Sequence, residues 1–218
     1  MIPTNAQQDL MGVRYVGCGA QEGCIEIRQT PGNALGAYLD GARIVVYGSA
    51  QDATGDTMNA GEIVVHGNNG DACGYAMRGG KILISGSTGY RAGIHMKEYR
   101  DKKPVIVIGG KAGSFLGEYQ AGGVIVVLGI GFEGKPVVGN FTGTGMHGGR
   151  IYLRTDTLPP DLPEQVCAAE VTDFSELKTI LADYCREFGG KVEDLLENKF
   201  YVLTPNSKNP YRQLYVRN

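Results

Sequence analysis

Short apolar runs punctuate the chain at a nearly constant interval. They are Ile44-Val45-Val46, Ile63-Val64-Val65, Ile82-Leu83-Ile84, Val105-Ile106-Val107, Ile125-Val126-Val127 and Ile151-Tyr152-Leu153. A weaker copy, Ile25-Glu26-Ile27, lies nineteen residues before the first of these, behind Gly17. Glycines frame the runs twelve residues apart, as in Gly36 to Gly48, Gly55 to Gly67, Gly74 to Gly86 and Gly117 to Gly129, and Gly93 heads a further unit. A period of about 19 residues, with strands and glycine turns and no helical pattern, predicts a stacked β-solenoid over the first 155 positions.

The facing of each strand follows from its charges. Arg43, Glu62, Lys81 and Arg150 stand immediately before an apolar trio, and an unpaired charge is too costly to bury. They point outward, and alternation then sends Val45, Val64, Leu83, Ile106, Val126 and Tyr152 outward as well. The inward pairs become Ile44/Val46, Ile63/Val65, Ile82/Ile84, Val105/Val107, Ile125/Val127 and Ile151/Leu153. The outward residues form an apolar stripe, a candidate protein interface, because contiguous apolar surface needs a cover. That cover is either the segment 174–188 or another polypeptide. The glycines at 36, 48, 55, 67, 74, 86, 93, 117 and 129 are expected to turn the chain at the corners of each coil.

Two insertions interrupt the period. One carries the charge run Lys97, Glu98, Tyr99, Arg100, Asp101, Lys102 and Lys103, and reads as a solvated loop. The other lengthens the last coils between residues 130 and 149, and insertions in a solenoid often lie on a binding side. After Leu158-Pro159-Pro160-Asp161-Leu162-Pro163 the pattern changes. Asp173 with Glu176 reads as a capping box opening a helix that aligns Phe174, Leu177, Ile180, Leu181, Tyr184 and Phe188, with Gly189 as its stop. A short helix over about 192–198 follows, then an extended tail from Phe200 to Asn218. Residues 12–157 thus form the β domain, and 158–218 a linker, one or two helices and the tail.

Composition narrows the function. Of the 34 glycines all but Gly189 and Gly190 precede residue 156, without the three-residue period of collagen. Residues 1–155 carry 14 basic and 12 acidic side chains and residues 156–218 carry 7 and 11, so neither part has the positive face that nucleic acid requires. No run approaches a membrane span and the first ten residues lack a leader pattern. Five irregularly spaced cysteines suit a reducing cytoplasm.

Catalytic patterns are weak. Gly129-Ile130-Gly131-Phe132-Glu133-Gly134 follows a strand like a dinucleotide fingerprint, but Lys135-Pro136-Val137-Val138-Gly139 succeeds it where a helix is needed. Gly143-Thr144-Gly145-Met146-His147-Gly148 runs into another strand. Both read as corners. Cys18 and Cys24 lack the close spacing of a metal knuckle, and Cys73, Cys167 and Cys185 stand alone, so small buried hydrophobes are the expectation. His66, His95 and His147 have no evident nucleophile beside them. The outward row offers Glu26 as its one carboxylate, which argues against an independent carbohydrate-cleaving β-helix enzyme. No catalytic, cofactor-binding or metal-binding residue is assigned.

The units Gly32-Asn33-Ala34-Leu35-Gly36, Gly70-Asp71-Ala72-Cys73-Gly74 and Gly89-Tyr90-Arg91-Ala92-Gly93, with the Gly79-to-Gly86 strand, resemble the GXGXG domain. That domain is the carboxy-terminal β-helix of the glutamate synthase large subunit, with a relative among the subunits of formylmethanofuran dehydrogenase. The resemblance is strong over residues 12–155. It implies an all-β, right-handed parallel β-helix of about seven coils of about 19 residues with a C-terminal α-helical extension and extended tail. Cys185-Arg186-Glu187-Phe188-Gly189 and Asn209-Pro210-Tyr211 are similar to the free-standing subunit of archaeal-type glutamate synthases. The implied role is a non-catalytic scaffold beside amidotransferase and FMN-synthase subunits. FMN and an iron–sulfur cluster are expected on those partners and none on this chain, which begins Met1-Ile2 without the amidotransferase cysteine. In isolation, pairing of the chain with itself through its apolar face is open to it. A formylmethanofuran dehydrogenase-type scaffold is the alternative.

Overall fold

The computed structural model describes residues 9–206. Seven parallel strands follow one another in sequence and in space: β1 (Cys24–Ile27), β2 (Asp40–Val46), β3 (Ala60–Val65), β4 (Lys81–Ile84), β5 (Val105–Ile108), β6 (Ala121–Val127) and β7 (Gly148–Arg154). They are followed by β8 (Val166–Glu170), α1 (Ser175–Phe188), α2 (Val192–Leu196) and β9 (Phe200–Pro205). The nine-stranded sheet runs β1-β2-β3-β4-β5-β6-β7-β9-β8, with β9 antiparallel to both its neighbours. The protein is mostly β, and the chain beyond residue 158 adds two strands to the same sheet.

The period fixes the register. Ile25, Ile44, Ile63 and Ile82 are mutual partners along β1 to β4, and so are Glu26, Val45, Val64 and Leu83. Their inward neighbours join one continuous core with turn-side residues at the same spacing, among them Leu39, Met58, Met77 and Met96. Each fully buried aliphatic side chain of this kind contributes about 1.5–3 kcal/mol, so the columns are the main stabilising element.

One strand departs from the expected facing. Lys81 pairs with Val105 and Ile82 with Ile106, so Ile106 and Ile108 point into the interior and Val105 and Val107 point outward. The reason is local. The four residues of β5 are all apolar, so no charge marks its outward parity, and Val105 occupies the place held by charge in β2, β3 and β4.

The outward stripe is covered by the chain itself. Leu83, Val105, Val107, Val124, Val126 and Tyr152 pack with Leu177, Leu181 and Tyr184 of α1 and Phe200 of β9 in a second core. Val45 and Val64 are likewise buried. The residues expected as a partner interface therefore lie inside this fold, with Ile106 on the opposite, interior side of the sheet.

Charges rim the helix. Arg43 meets Glu187 at 2.6 Å and Glu62 at 2.9 Å, Arg186 meets Asp183 at 2.5 Å, and Lys81 pairs with Asp183. The capping box is not closed. Asp173 accepts the Ser175 N–H at 2.9 Å, whereas Glu176 accepts from the Tyr152 hydroxyl at 2.6 Å and pairs with Lys103 and Arg150. Tertiary partners thus won Glu176 from the backbone. The extended tail is borne out over Phe200–Pro205 as β9; its remainder, with Asn209-Pro210-Tyr211, lies outside the described residues.

Candidate functional site

The surface left open by α1 is built by the turns. In each unit two residues take left-handed backbone angles on either side of a glycine, as at Ala72 (φ 54°), Gly74 (φ 67°) and Ala76 (φ 49°). Their N–H groups donate forward to carbonyls of the next unit. Ala34 reaches Asp52, Ala53 reaches Asp71 and Ala72 reaches Tyr90 at 2.7–2.8 Å. Tyr38, Thr57, Ala76, His95 and Tyr119 reach Asp56, Tyr75, Ile94, Glu118 and Thr144 at 2.8–2.9 Å. A left-handed non-glycine residue costs about 1–2 kcal/mol, and these hydrogen bonds offset it.

The glycines serve two ends. At Gly36, Gly55, Gly74, Gly93 and Gly117 the backbone is left-handed and a Cβ would strike an isoleucine Cδ1 of the core at 2.4–2.6 Å. Gly129, also left-handed, lies against Val137. At Gly67 and Gly86 the backbone is ordinary and close approach is the reason: a Cβ would lie 2.6 Å from Ser49 Oγ and 2.3 Å from Asn68 Oδ1. Nothing crowds Gly48. Beside them runs a polar ladder in which Ser49 Oγ, Asn68 Oδ1 and Ser87 Oγ accept the N–H of Asn68, Ser87 and Lys111 at 2.8–3.1 Å. Asp52 and Asp71 do the same for Asp71 and Tyr90, both at 2.8 Å.

In the left-handed columns Tyr38, Arg91, His95 and Phe141 are exposed, and aromatics collect on and beside them. His95 stacks on Tyr119 at 5.2 Å and meets the edge of Tyr75 at 5.9 Å. Phe115 stacks on Phe141 at 5.1 Å, with Arg91 over the Phe115 ring at 5.0 Å and ion-paired to Glu118 at 3.0 Å. Tyr75, Tyr90 and Phe141 are exposed. Rigid aromatic and arginine groups on an open face are what protein contacts use as anchors.

A cleft of about 120 Å³ opens where the first fingerprint-like string lies, lined by Phe132, Glu133, Lys135, Arg154, Asp156 and Lys199 among others. No helix follows Gly134; Val138 instead forms a parallel bridge to Ala112. Several of the cleft's polar groups are paired within the fold. The Glu133 carboxylate is held below the usual carboxylate range by its own N–H and that of Gly131, with Arg154 and Lys135 adding to it. Arg154 donates to the Leu128 carbonyl at 2.8 Å, and Lys199 pairs with Glu170 at 2.9 Å. The buried Arg154 Nε has no hydrogen-bond partner among the described residues. The second string enters β7 directly.

The 97–103 loop is engaged as well. Tyr99 and Lys102 exchange backbone hydrogen bonds at 3.0–3.1 Å, Glu98 accepts the Gly123 N–H at 3.0 Å, and Lys102 meets Asp40 at 3.4 Å. Of the cysteines, Cys73 is buried, and burial pushes its thiol up to about 12. Cys18, Cys24 and Cys167 are exposed, contrary to the expectation of buried hydrophobes, because they fall in a turn and on the two edge strands. His66 stacks with Tyr47 at 5.2 Å, and His147 Nδ1 lies 3.2 Å from the Gly145 carbonyl. Among the described residues no group of three or more His, Cys, Asp or Glu is placed to hold a metal ion. None of the described helices is long and apolar enough to cross a membrane.

The turn face, missed in the strand reading, was present in the sequence as Phe115 and Phe141, each two residues before a turn glycine, and Tyr75 and Tyr119, one and two residues after one. Fold and face define a glycine-repeat protein whose open surface offers contacts along a rigid ladder. The model of the family described as GXGXG motif matches residues 5–206, and the chain belongs to that family. The Methanocaldococcus jannaschii uncharacterized protein MJ1350 is 46% identical over 223 residues, covering 96% of this chain and 84% of that protein. Among solved structures, a chain of the formyltransferase/hydrolase complex (FhcABCD) from Methylorubrum extorquens, in complex with methylofuran, shares the fold with a TM-score of 0.63 at 22% identity. The likeness covers 84% of this chain and 66% of that one, so this chain spans just under two thirds of its structural neighbour.

Proposed function

We propose that this protein is a non-catalytic scaffold subunit of a glutamate synthase-type oxidoreductase complex, which moves the amide nitrogen of glutamine to 2-oxoglutarate. In this reading the parallel sheet and its turns are a right-handed β-helix of about seven coils. The reading rests above all on the turn face, where Tyr75, His95, Phe115, Tyr119 and Phe141 form an aromatic row on a hydrogen-bonded ladder, with Tyr75, His95 and Phe141 exposed and Phe115 and Tyr119 half-buried. Such a row can hold an amidotransferase and an FMN-synthase subunit in register. Flavin and iron–sulfur chemistry belong to those partners, and the chain works in the cytoplasm.

A second reading, a scaffold of a formyl-transferring complex, is favoured by the shared fold with a chain of the formyltransferase/hydrolase complex. Isolation of the protein from its native cells under mild conditions distinguishes the two. Co-purification of an amidotransferase and a flavin-coloured synthase, with glutamate formed from glutamine and 2-oxoglutarate, is the expected result. Molybdopterin or formyltransferase subunits in their place would support the second reading. A colourless protein eluting alone would refute both.

A further inference from the structure

The cleft beside residues 129–134 leaves a cation short of partners. It lies at a seam. The loop after β6 forms one wall, and residues 154–157 at the end of β7, with Asn198 and Lys199 ahead of β9, form the other. Arg154 is half-buried and held by one hydrogen bond, from its guanidinium to the Leu128 carbonyl at 2.8 Å. Its Nε is shut off from solvent without a partner among the described residues. A guanidinium carries five N–H donors in a planar fork, and a charge withdrawn from water ordinarily needs compensation. Neither Arg154 nor Lys135 has an ion pair among the described residues. The nearby acids are engaged or turned to solvent. Glu170 pairs with Lys199 at 2.9 Å, Glu133 accepts the Gly131 N–H at 3.1 Å, and Asp156 is exposed. Lys111 lies over the Phe132 ring at 5.3 Å and brings a further cation to the rim.

We infer that this cleft binds a small oxyanion through Arg154 and Lys135. A carboxylate or a phosphate presents the pair of oxygens that a guanidinium fork takes bidentately, and such charge-assisted hydrogen bonds are roughly twice as strong as neutral ones. Phe132 and Val137 line the same cleft. That apolar wall selects an organic carboxylate over inorganic phosphate, since pockets combine apolar lining with a few placed polar groups. Size limits the ligand further. The volume of about 120 Å³ is about four times the ~30 Å³ of one liquid water, which admits a handful of non-hydrogen atoms and excludes a dinucleotide. The loop already holds one carboxylate, that of Glu133 on the Gly131 N–H. Asp156 opposes the ligand, as a like charge among the lining residues. A ligand in this place touches the loop and the C-terminal return at once, and so ties the two together. The inference concerns this chain alone and holds under either reading of the complex.

NMR of backbone amides and arginine side chains on the full chain tests it. The probes are succinate and inorganic phosphate, with sodium chloride at matched ionic strength as the control. Saturable shifts at the amides of Gly131 and Lys135 and at Arg154 Nε–H are expected, with a dissociation constant of about 1 mM or below for succinate and weaker binding of phosphate. Tighter binding of phosphate keeps the oxyanion site and overturns the role given to the apolar wall. Arg154→Gln should weaken succinate at least about tenfold and Lys135→Gln about fivefold. Asp156→Asn should tighten it about twofold, and Lys178→Gln on the exposed side of α1 should leave it unchanged. Lys135 and Asp156 are both exposed, so the opposite signs of Lys135→Gln and Asp156→Asn decide the matter should Arg154→Gln misfold. Equal shifts in sodium chloride, no saturation by about 20 mM of either probe, or an affinity indifferent to Lys135→Gln and Asp156→Asn overturns the inference.

Discussion

Among the described residues, thirteen besides glycine have positive φ, and all but Arg100 fall in the two columns that flank the turn glycines. The strain is therefore systematic, the cost of bending each unit while aiming an N–H at the next. Where the side chain does little else, glycine should relieve it. Ala53→Gly is expected to stabilise the protein by about 0.5 kcal/mol, the left-handed penalty less the added entropy of the unfolded chain. The reverse change is severe. Gly74→Ala adds a Cβ 2.5 Å from Ile106 Cδ1 at φ +67°, and should cost about 2–4 kcal/mol in a urea titration. Equal midpoints for Gly74→Ala and wild type would contradict the assigned contact. The sequence marked these glycines by spacing. It could not mark their alanine and tyrosine neighbours as left-handed, because those residue types carry no such preference.

At the scale of the element, α1 is held by an apolar centre and a charged rim. Leu181 is fully buried, and Leu181→Ala should destabilise by about 2–5 kcal/mol, with amide exchange rising first in 175–188. The rim titrates. Burial opposes ionisation of Glu176, Asp183 and Glu187, yet Lys103 and Tyr152, Lys81 and Arg186, and Arg43 and Arg186 respectively hold each carboxyl below its ordinary value. Depressed folded-state values mean that this stabilisation is complete above the unfolded carboxylate range. It is lost as pH falls through the folded values. The melting temperature should drop along that acid limb, and Glu176→Gln should flatten it; an unchanged limb in Glu176→Gln would show that the carboxylate carries none of it. The amphipathic pattern revealed the helix and the face it buries. What it packs on was decided by Val105 and Val124, which replace charge in the two central strands.

At the scale of the molecule, one long face is sealed by α1, one end by β9 and β8, and the turn face stays open. Alanine at Tyr75 or Phe141, both exposed, should weaken capture of the proposed partner subunits by tenfold or more while shifting unfolding by less than about 1 kcal/mol. Loss of stability in step with loss of capture would instead make the row structural. The antiparallel return was hidden from the sequence because Val166–Glu170 and Phe200–Pro205 lie outside the period. Strands that close a stack need match the last unit alone, so they carry no repeat.

By itself the sequence determined the period, the parallel order, the core columns outside β5 and the helix with its apolar stripe. These are local or translational properties, and each regular repeat writes the same contacts nineteen residues on. Tertiary structure decided the facing of β5, the cover of the outward stripe and the partners of Glu176. Each depends on which surfaces meet through space, and an all-valine-and-isoleucine strand or a lone glutamate reads the same in sequence whichever neighbour it finds.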